Sequence, residues 1–140
     1  MAETPKEAAE RLKKEGKSVL NLIIKQVYFD QILAGTKKTE YRELKPSTIR
    51  KLVQLDGDGD LMLDEEEHCI PVHYDALLLF VGYNTNRDSA LVEVTGAVEE
   101  FFLDENGEEI FFELEDGSCH YPSQIAYSLG KVIAKEVRKK

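Results

Sequence analysis

Apolar and polar positions along the chain change period several times, and each change marks an element. Ser18 to Ile24 (SVLNLII) is almost wholly apolar, as a buried strand would be. Gln26 to Ala34 (QVYFDQILA) then puts Tyr28, Phe29, Ile32 and Leu33 at i, i+1, i+4 and i+5, one face of a short helix, and Gly35 suits the left-handed position that stops it. Lys38 to Leu44 (KTEYREL) alternates with the period of a strand. Lys38, Glu40 and Arg42 share one face of it, and Thr39 and Tyr41 share the other. Pro46-Ser47 opens a second helix, Ser47 to Leu55, on Ile49, Leu52 and Val53. His73 to Val81 is a nearly continuous apolar run, the pattern of a central strand covered on both faces. It ends in a polar loop of turn formers, Gly82 to Asp88.

Ser89 to Phe102 follows as a long strand, with Gly96 marking a bulge or bend. Asp104 to Gly107 reads as a hairpin turn, and Glu109 to Glu115 as its return strand. The chain closes on a predicted helix from about Ser123 to Arg138. Ile125, Leu129, Val132, Ile133 and Val137 form its face, and the basic residues at its end complement the dipole. At the other end, Thr4-Pro5-Lys6-Glu7 spells a capping box with proline at the first helical position. That helix runs to about Glu15 and carries only Ala8, Ala9 and Leu12 as apolar surface. It reads as a loosely docked, solubilising extension over residues 1–17. Residues 18–140 then form a single α+β domain whose mixed sheet is expected to curl into a barrel. No internal repeat, low-complexity linker or second domain stands out.

Charge sharpens this picture because it is unevenly spread. The net charge is −9, yet residues 1–54 carry 12 Lys/Arg and 7 Asp/Glu, and residues 130–140 carry 5 and 1. Residues 55–129 hold 19 Asp/Glu and a single cation, Arg87. Broad non-specific DNA binding is therefore not expected, whereas a small basic pocket is still allowed. The acidic middle would suit a protein-interaction module, although such stretches are usually solvated surface. No apolar run reaches the ~20 residues of a membrane helix, and the polar start has no signal-peptide core, so a cytoplasmic location is the expectation. Cys69 and Cys119, the two cysteines, read as free thiols there.

Candidate chemistry concentrates after Gly35. Lys37 sits at the mouth of a turn, and Lys38, Glu40 and Arg42 form a cation–anion–cation row on one strand face. The same alternation also describes an edge strand protected by charge. Arg42 offers a planar fork to a phosphate or a base edge, and Glu40 either orients it or accepts from a base amino group. Tyr83, Asn84 and Arg87, in the loop after the central strand, extend the candidate site. Tyr83, Tyr41 or Tyr28 would stack on an unpaired base, with core packing the expected role for Tyr28 and Tyr41.

Asp56 to Glu67 resembles a calcium loop in its carboxylates, but Leu61 stands where the sharp turn needs glycine and Pro71 blocks the following helix. A hairpin turning at Asp58-Gly59 is expected instead. Three histidines (His68, His73 and His120) and two cysteines spell no zinc cage, so neither a metal nor a cofactor is expected.

Gly35-x-Lys37-x-x-Glu40-x-Arg42, preceded by the helix Tyr28 to Leu33, resembles the signature of the ASCH domain (activating signal cointegrator homology). The likeness extends over roughly Leu20 to Ile133 and includes strands such as Ala76–Val81 and Leu91–Val98. The resemblance implies a small barrel related to the PUA fold and a nucleic-acid-related role: single-stranded RNA, or a nucleotide or modified nucleoside, held in a cleft lined by Lys37, Glu40 and Arg42. A catalytic branch of that family removes acyl groups from modified cytidine with a lysine, a threonine and a distant glutamate. Lys37 matches the lysine, but Glu40 stands at the threonine's position, and no acidic residue after Val98 aligns as the glutamate. Lys37 and Glu40 are the catalytic candidates under that alternative. Binding and catalysis thus stand as two readings of the same residues.

Overall fold

The computed structural model describes residues 3–138. The elements run α1 (Pro5–Lys14), β1 (Val19–Ile24), α2 (Gln26–Ala34), β2 (Thr39–Glu43), α3 (Ile49–Leu52), β3 (Ala76–Val81), β4 (Ser89–Phe101), β5 (Phe112–Glu113), β6 (Cys119–His120) and β7 (Ser123–Glu136). This is an α+β fold. Five strands form one mixed sheet in the order β1-β3-β4-β7-β2, and β5 pairs with β6. β1 runs parallel to β3, and β4 antiparallel to it. The expected barrel is not formed. Among the described residues the large sheet stays open, with β1 and β2 at its two ends.

Contacts group the chain into two compact units. One comprises Met1–Glu40, His73–Gly96 and Ser128–Lys140, and the other Tyr41–Val72 and Ala97–Tyr127. The first holds 14 Lys/Arg and 10 Asp/Glu, the second 4 and 17.

In the first unit β3 is the central strand that its apolar run predicts. Ala76, Leu78 and Phe80 pack against Ala8, Ala9 and Leu12 of α1, together with Leu91. Leu77 and Leu79, on the other face, are fully buried, and α2 also contacts this strand. α1 is therefore not a loosely docked arm. Its capping box forms as spelled, with Thr4 accepting from the Glu7 amide and Glu7 from the Thr4 amide. Its small side chains let the helix sit close to the sheet, so three residues suffice to seat it. α2 ends at Gly35, whose φ of +81° is the left-handed stop its position predicts.

The predicted C-terminal helix is a strand, β7. Ile125, Leu129 and Ile133 recur every four residues, a spacing that serves one face of a helix and one face of a strand equally. What decides is the rest of the segment: β-branched Ile125, Val132 and Ile133, aromatic Tyr127, and a mid-segment glycine. At Gly130 a Cβ would run into the Glu93 carboxylate and lie 3.0 Å from the Thr95 methyl, so a larger residue there would have to displace the Glu93 side chain. The predicted helix Ser47–Leu55 shrinks to four residues because Val53 turns extended (φ −132°, ψ 156°) and bridges to Pro71.

The second unit contains a repeated device that the sequence reading missed. At Asp56–Asp60, Asp64–His68, Asp104–Glu108 and Leu114–Ser118 the chain closes the same tight hairpin. In each, residue i donates to the carbonyl of i+4 and accepts from the amide of i+3. Three of them also have an aspartate at i, whose carboxylate accepts from the amides of i+2 and i+4. The expected return strand Glu109–Glu115 is thus cut to β5 by the fourth hairpin. The calcium-like stretch opens with the expected hairpin, the Asp56 amide donating to the Asp60 carbonyl and the Gly59 amide to the Asp56 carbonyl. Position i+3 lies at positive φ in all four, as Gly59, Gly107 and Gly117, but as Glu67 in the second. A left-handed non-glycine residue costs roughly 1–2 kcal/mol, partly offset by the entropy glycine loses on folding. Glu67→Gly should therefore stabilise the fold by about 0.5–1 kcal/mol in urea denaturation; a destabilised variant would contradict this.

Candidate functional site

The Gly35 stop fixes the start of the signature. The amides of Thr36 and Lys37 both donate to the Gln31 carbonyl, at 3.0 and 3.1 Å. Lys37 Nζ then lies 3.5 Å from Glu40 Oε1 and 5.1 Å from the centroid of the Tyr28 ring. The Lys37 and Glu40 side chains are only 16% and 6% exposed, so this is a sheltered ion pair with an aromatic neighbour. β2 is an edge strand, as a charge-protected strand would be, yet it turns Glu40 inward. Tyr28 and Tyr41, expected in the core, are instead 43% and 45% exposed. Lys38 is exposed, and its carbonyl accepts from the Leu129 amide. Arg42 is half-buried and belongs to the second unit.

Tyr83, Asn84 and Arg87 are brought together in the first unit. The loop between β3 and β4 leaves the sheet at Gly82 (φ +67°) and is closed by the Val81 amide donating to the Asp88 carbonyl. Arg87 Nη1 donates to the Gly82 carbonyl at 2.7 Å, and its guanidinium lies 4.2 Å from the Phe80 ring centroid. Asp88 is buried. Its carboxylate accepts from the Arg138 amide at 2.7 Å and from Gln26 at 3.1 Å, tying both the C-terminal segment and the start of α2 to this loop.

The result is a pocket of about 350 Å³ lined by Tyr83, Asn84, Thr85 and Arg87 from the loop, Lys6 from α1, and Glu136 and Arg138 from the C-terminal segment. Lys6 Nζ approaches the same Phe80 ring at 6.0 Å. Three cations and one carboxylate thus face one cavity. Arg138 is partly committed, its Nη2 lying 2.6 Å from Glu136. Tyr83, 85% exposed, stands free at the rim as a stacking surface. Among the described residues that line this cavity, Lys37, Lys38 and Glu40 do not appear.

Lys6, Phe80 and Arg138 were not singled out from sequence. Lys6 sits on a helix read as an arm, and Arg138 at the end of a strand read as a helix.

The second unit has its own polar centre. Glu99, 7% exposed, accepts from the Ser123 hydroxyl at 2.6 Å and the Cys69 amide at 2.8 Å, and His68 Nδ1 lies 3.8 Å away. This resembles a nucleophile cluster in composition only. Burial, and then the Glu99 carboxylate, push the Cys69 thiol up to about 12, which disfavours the reactive thiolate. At neutral pH a maleimide should label one cysteine per chain, the exposed Cys119. Rapid labelling of both would contradict the burial. The linkage sign follows. From the thiol's ordinary 9.0 up to about 12, the unfolded chain releases a proton that the folded chain keeps, so stability falls as pH rises through that window and is untouched by this group below it.

Among the described residues no group of three or more His, Cys, Asp or Glu is arranged to hold a metal ion, and no helix is long and apolar enough to cross a membrane. Comparison of the chain with protein-family models, with curated proteins and with solved structures gives no match.

Proposed function

We propose that the chain is an ASCH-like domain, of PUA-related ancestry, that binds a phosphate-bearing nucleotide or the end of a single-stranded RNA in the pocket between the Tyr83–Arg87 loop and Arg138. The observation that carries this reading is the convergence of Lys6, Arg87 and Arg138 on one cavity of about 350 Å³ beside an exposed tyrosine. Like charges gathered around one cavity repel, and an anion between them relieves that repulsion. Arg87 and Arg138 offer forks that match phosphate oxygens, and Lys6 adds a point charge. Tyr83 supplies a base-stacking face that tolerates any base, and Asn84 an amide able to pair with a base edge. The volume falls at the small end of ordinary ligand pockets and suits about one nucleotide. The order strand, short helix, left-handed glycine, charged strand supports the family reading; the open sheet does not add to it.

Ligand-observed NMR with AMP, adenosine and a short single-stranded RNA tests the proposal. The phosphate-bearing ligands should bind and adenosine should bind far more weakly. Equal binding of adenosine and AMP would remove the anion site.

A second reading, acyl removal from modified cytidine, draws on the sheltered Lys37–Glu40 pair. There Glu40 would activate water and Lys37 would stabilise the developing oxyanion. Incubation with N-acylated cytidine should then release cytidine, and Lys37→Ala should abolish the release; no release from the parent chain ends this alternative.

A further inference from the structure

The acidic unit carries a row of aromatic rings that neither functional reading uses. His68 meets Phe101 edge-on at 5.3 Å, Phe101 meets Tyr121 at 6.2 Å, and Tyr121 lies against Phe111 at 5.6 Å. The outer two rings are open to water: Tyr121 is 43% and Phe111 55% exposed. Their position is fixed by pairing, because Phe111 and Tyr121 directly flank the cross-strand partners Phe112 and His120. Contiguous exposed aromatic surface held on a paired scaffold marks interaction sites on soluble chains.

The surroundings say what would cover it. Neither residues 55–72 nor residues 97–127 contain a single Lys or Arg, and together they hold 16 Asp/Glu. Ring faces carry negative quadrupole density, so the rings and the carboxylates favour the same occupant, cations borne on an apolar frame. Sign disfavours a nucleic acid here, and a second copy would bring an equally acidic face to the contact.

We propose that the His68–Phe101–Tyr121–Phe111 row docks a basic peptide segment of another protein, its Arg or Lys side chains over the rings and its apolar side chains against Phe111. The test uses the full chain and three labelled peptides read by fluorescence anisotropy: alternating Arg and Leu, Arg and Ser at equal charge, and Glu and Leu. The Arg–Leu peptide should bind, more weakly as salt rises, and the Glu–Leu peptide should not. Phe111→Ser and Tyr121→Ser should each weaken the Arg–Leu complex at least about tenfold, with thermal unfolding unchanged because both rings face water. Equal binding of the Arg–Ser peptide would overturn the proposal, since charge alone would then suffice. Unchanged affinity in both variants would overturn it too. So would a chain dimer in sedimentation, or a complex with single-stranded RNA, that Phe111→Ser abolishes.

Discussion

Ala8→Glu is expected to lower the stability of the fold by about 3–5 kcal/mol. Ala8 is fully buried and packs in one cluster with Ala76, Leu78, Phe80 and Leu91. None of the side chains in that cluster can pair with a carboxylate. An uncompensated buried charge costs about 3–5 kcal/mol, set against typical total stabilities of roughly 5–15 kcal/mol. Lys14→Glu, on the exposed side of the same helix, should change stability by no more than about 0.5 kcal/mol. Urea denaturation followed by circular dichroism measures both. A loosely docked arm would accept either charge equally well. An unaltered midpoint for Ala8→Glu would thus return α1 to the role of a solubilising extension and take Lys6 away from the pocket.

The second large effect concerns affinity. Arg87→Gln and Arg138→Gln should each weaken AMP or short-RNA binding by ~1–3 kcal/mol, and each should lower the salt slope by about one charge. Tyr83→Ala should cost a similar ~1–3 kcal/mol through lost stacking, with the salt slope unchanged. The two effects are separable because charge and stacking respond differently to ionic strength. Arg87 also holds the loop through Gly82 and covers Phe80, so its variant needs a melting control. Arg138 provides the cleaner test: its backbone amide, which binds Asp88, is retained on substitution. Lys37→Ala should affect binding less than either arginine change, because its ammonium already faces Glu40. A larger loss from Lys37→Ala than from both arginine variants would move the site to the signature strand.

Which parts of this were legible in the chain follows from how local the signals are. The α2 helix, its stop at Gly35 and the strand after it are written in consecutive residues, and they appear where the pattern puts them. The buried strand β3 is equally local, since a run apolar at every position has no polar face to expose. β7 was misread because a four-residue spacing satisfies two periods at once, and the β-branched and aromatic residues that favour the strand were outweighed by that spacing. The seating of α1 was hidden for a related reason: three small side chains look like too little surface until the flat apolar face of β3 is there to receive them. The hairpin repeat was masked by its own first copy, whose carboxylate spacing imitates a calcium loop.

The candidate site divides along the same line. Tyr83, Asn84 and Arg87 could be picked out because they follow a central strand directly. Lys6 and Arg138 join them through contacts between residues far apart in sequence, 50 positions in the Asp88–Arg138 bond, and no local pattern announces such a contact.

The most direct test is an NMR titration of the isotope-labelled chain with AMP and with adenosine, following the backbone amides of Tyr83 and Asn84 and the guanidinium Nε signals of Arg87 and Arg138. Saturable shifts at all four with AMP, and little change with adenosine, are the predicted result. Shifts confined to Lys37 and Glu40, or none with either ligand, would contradict a phosphate-binding pocket on this unit.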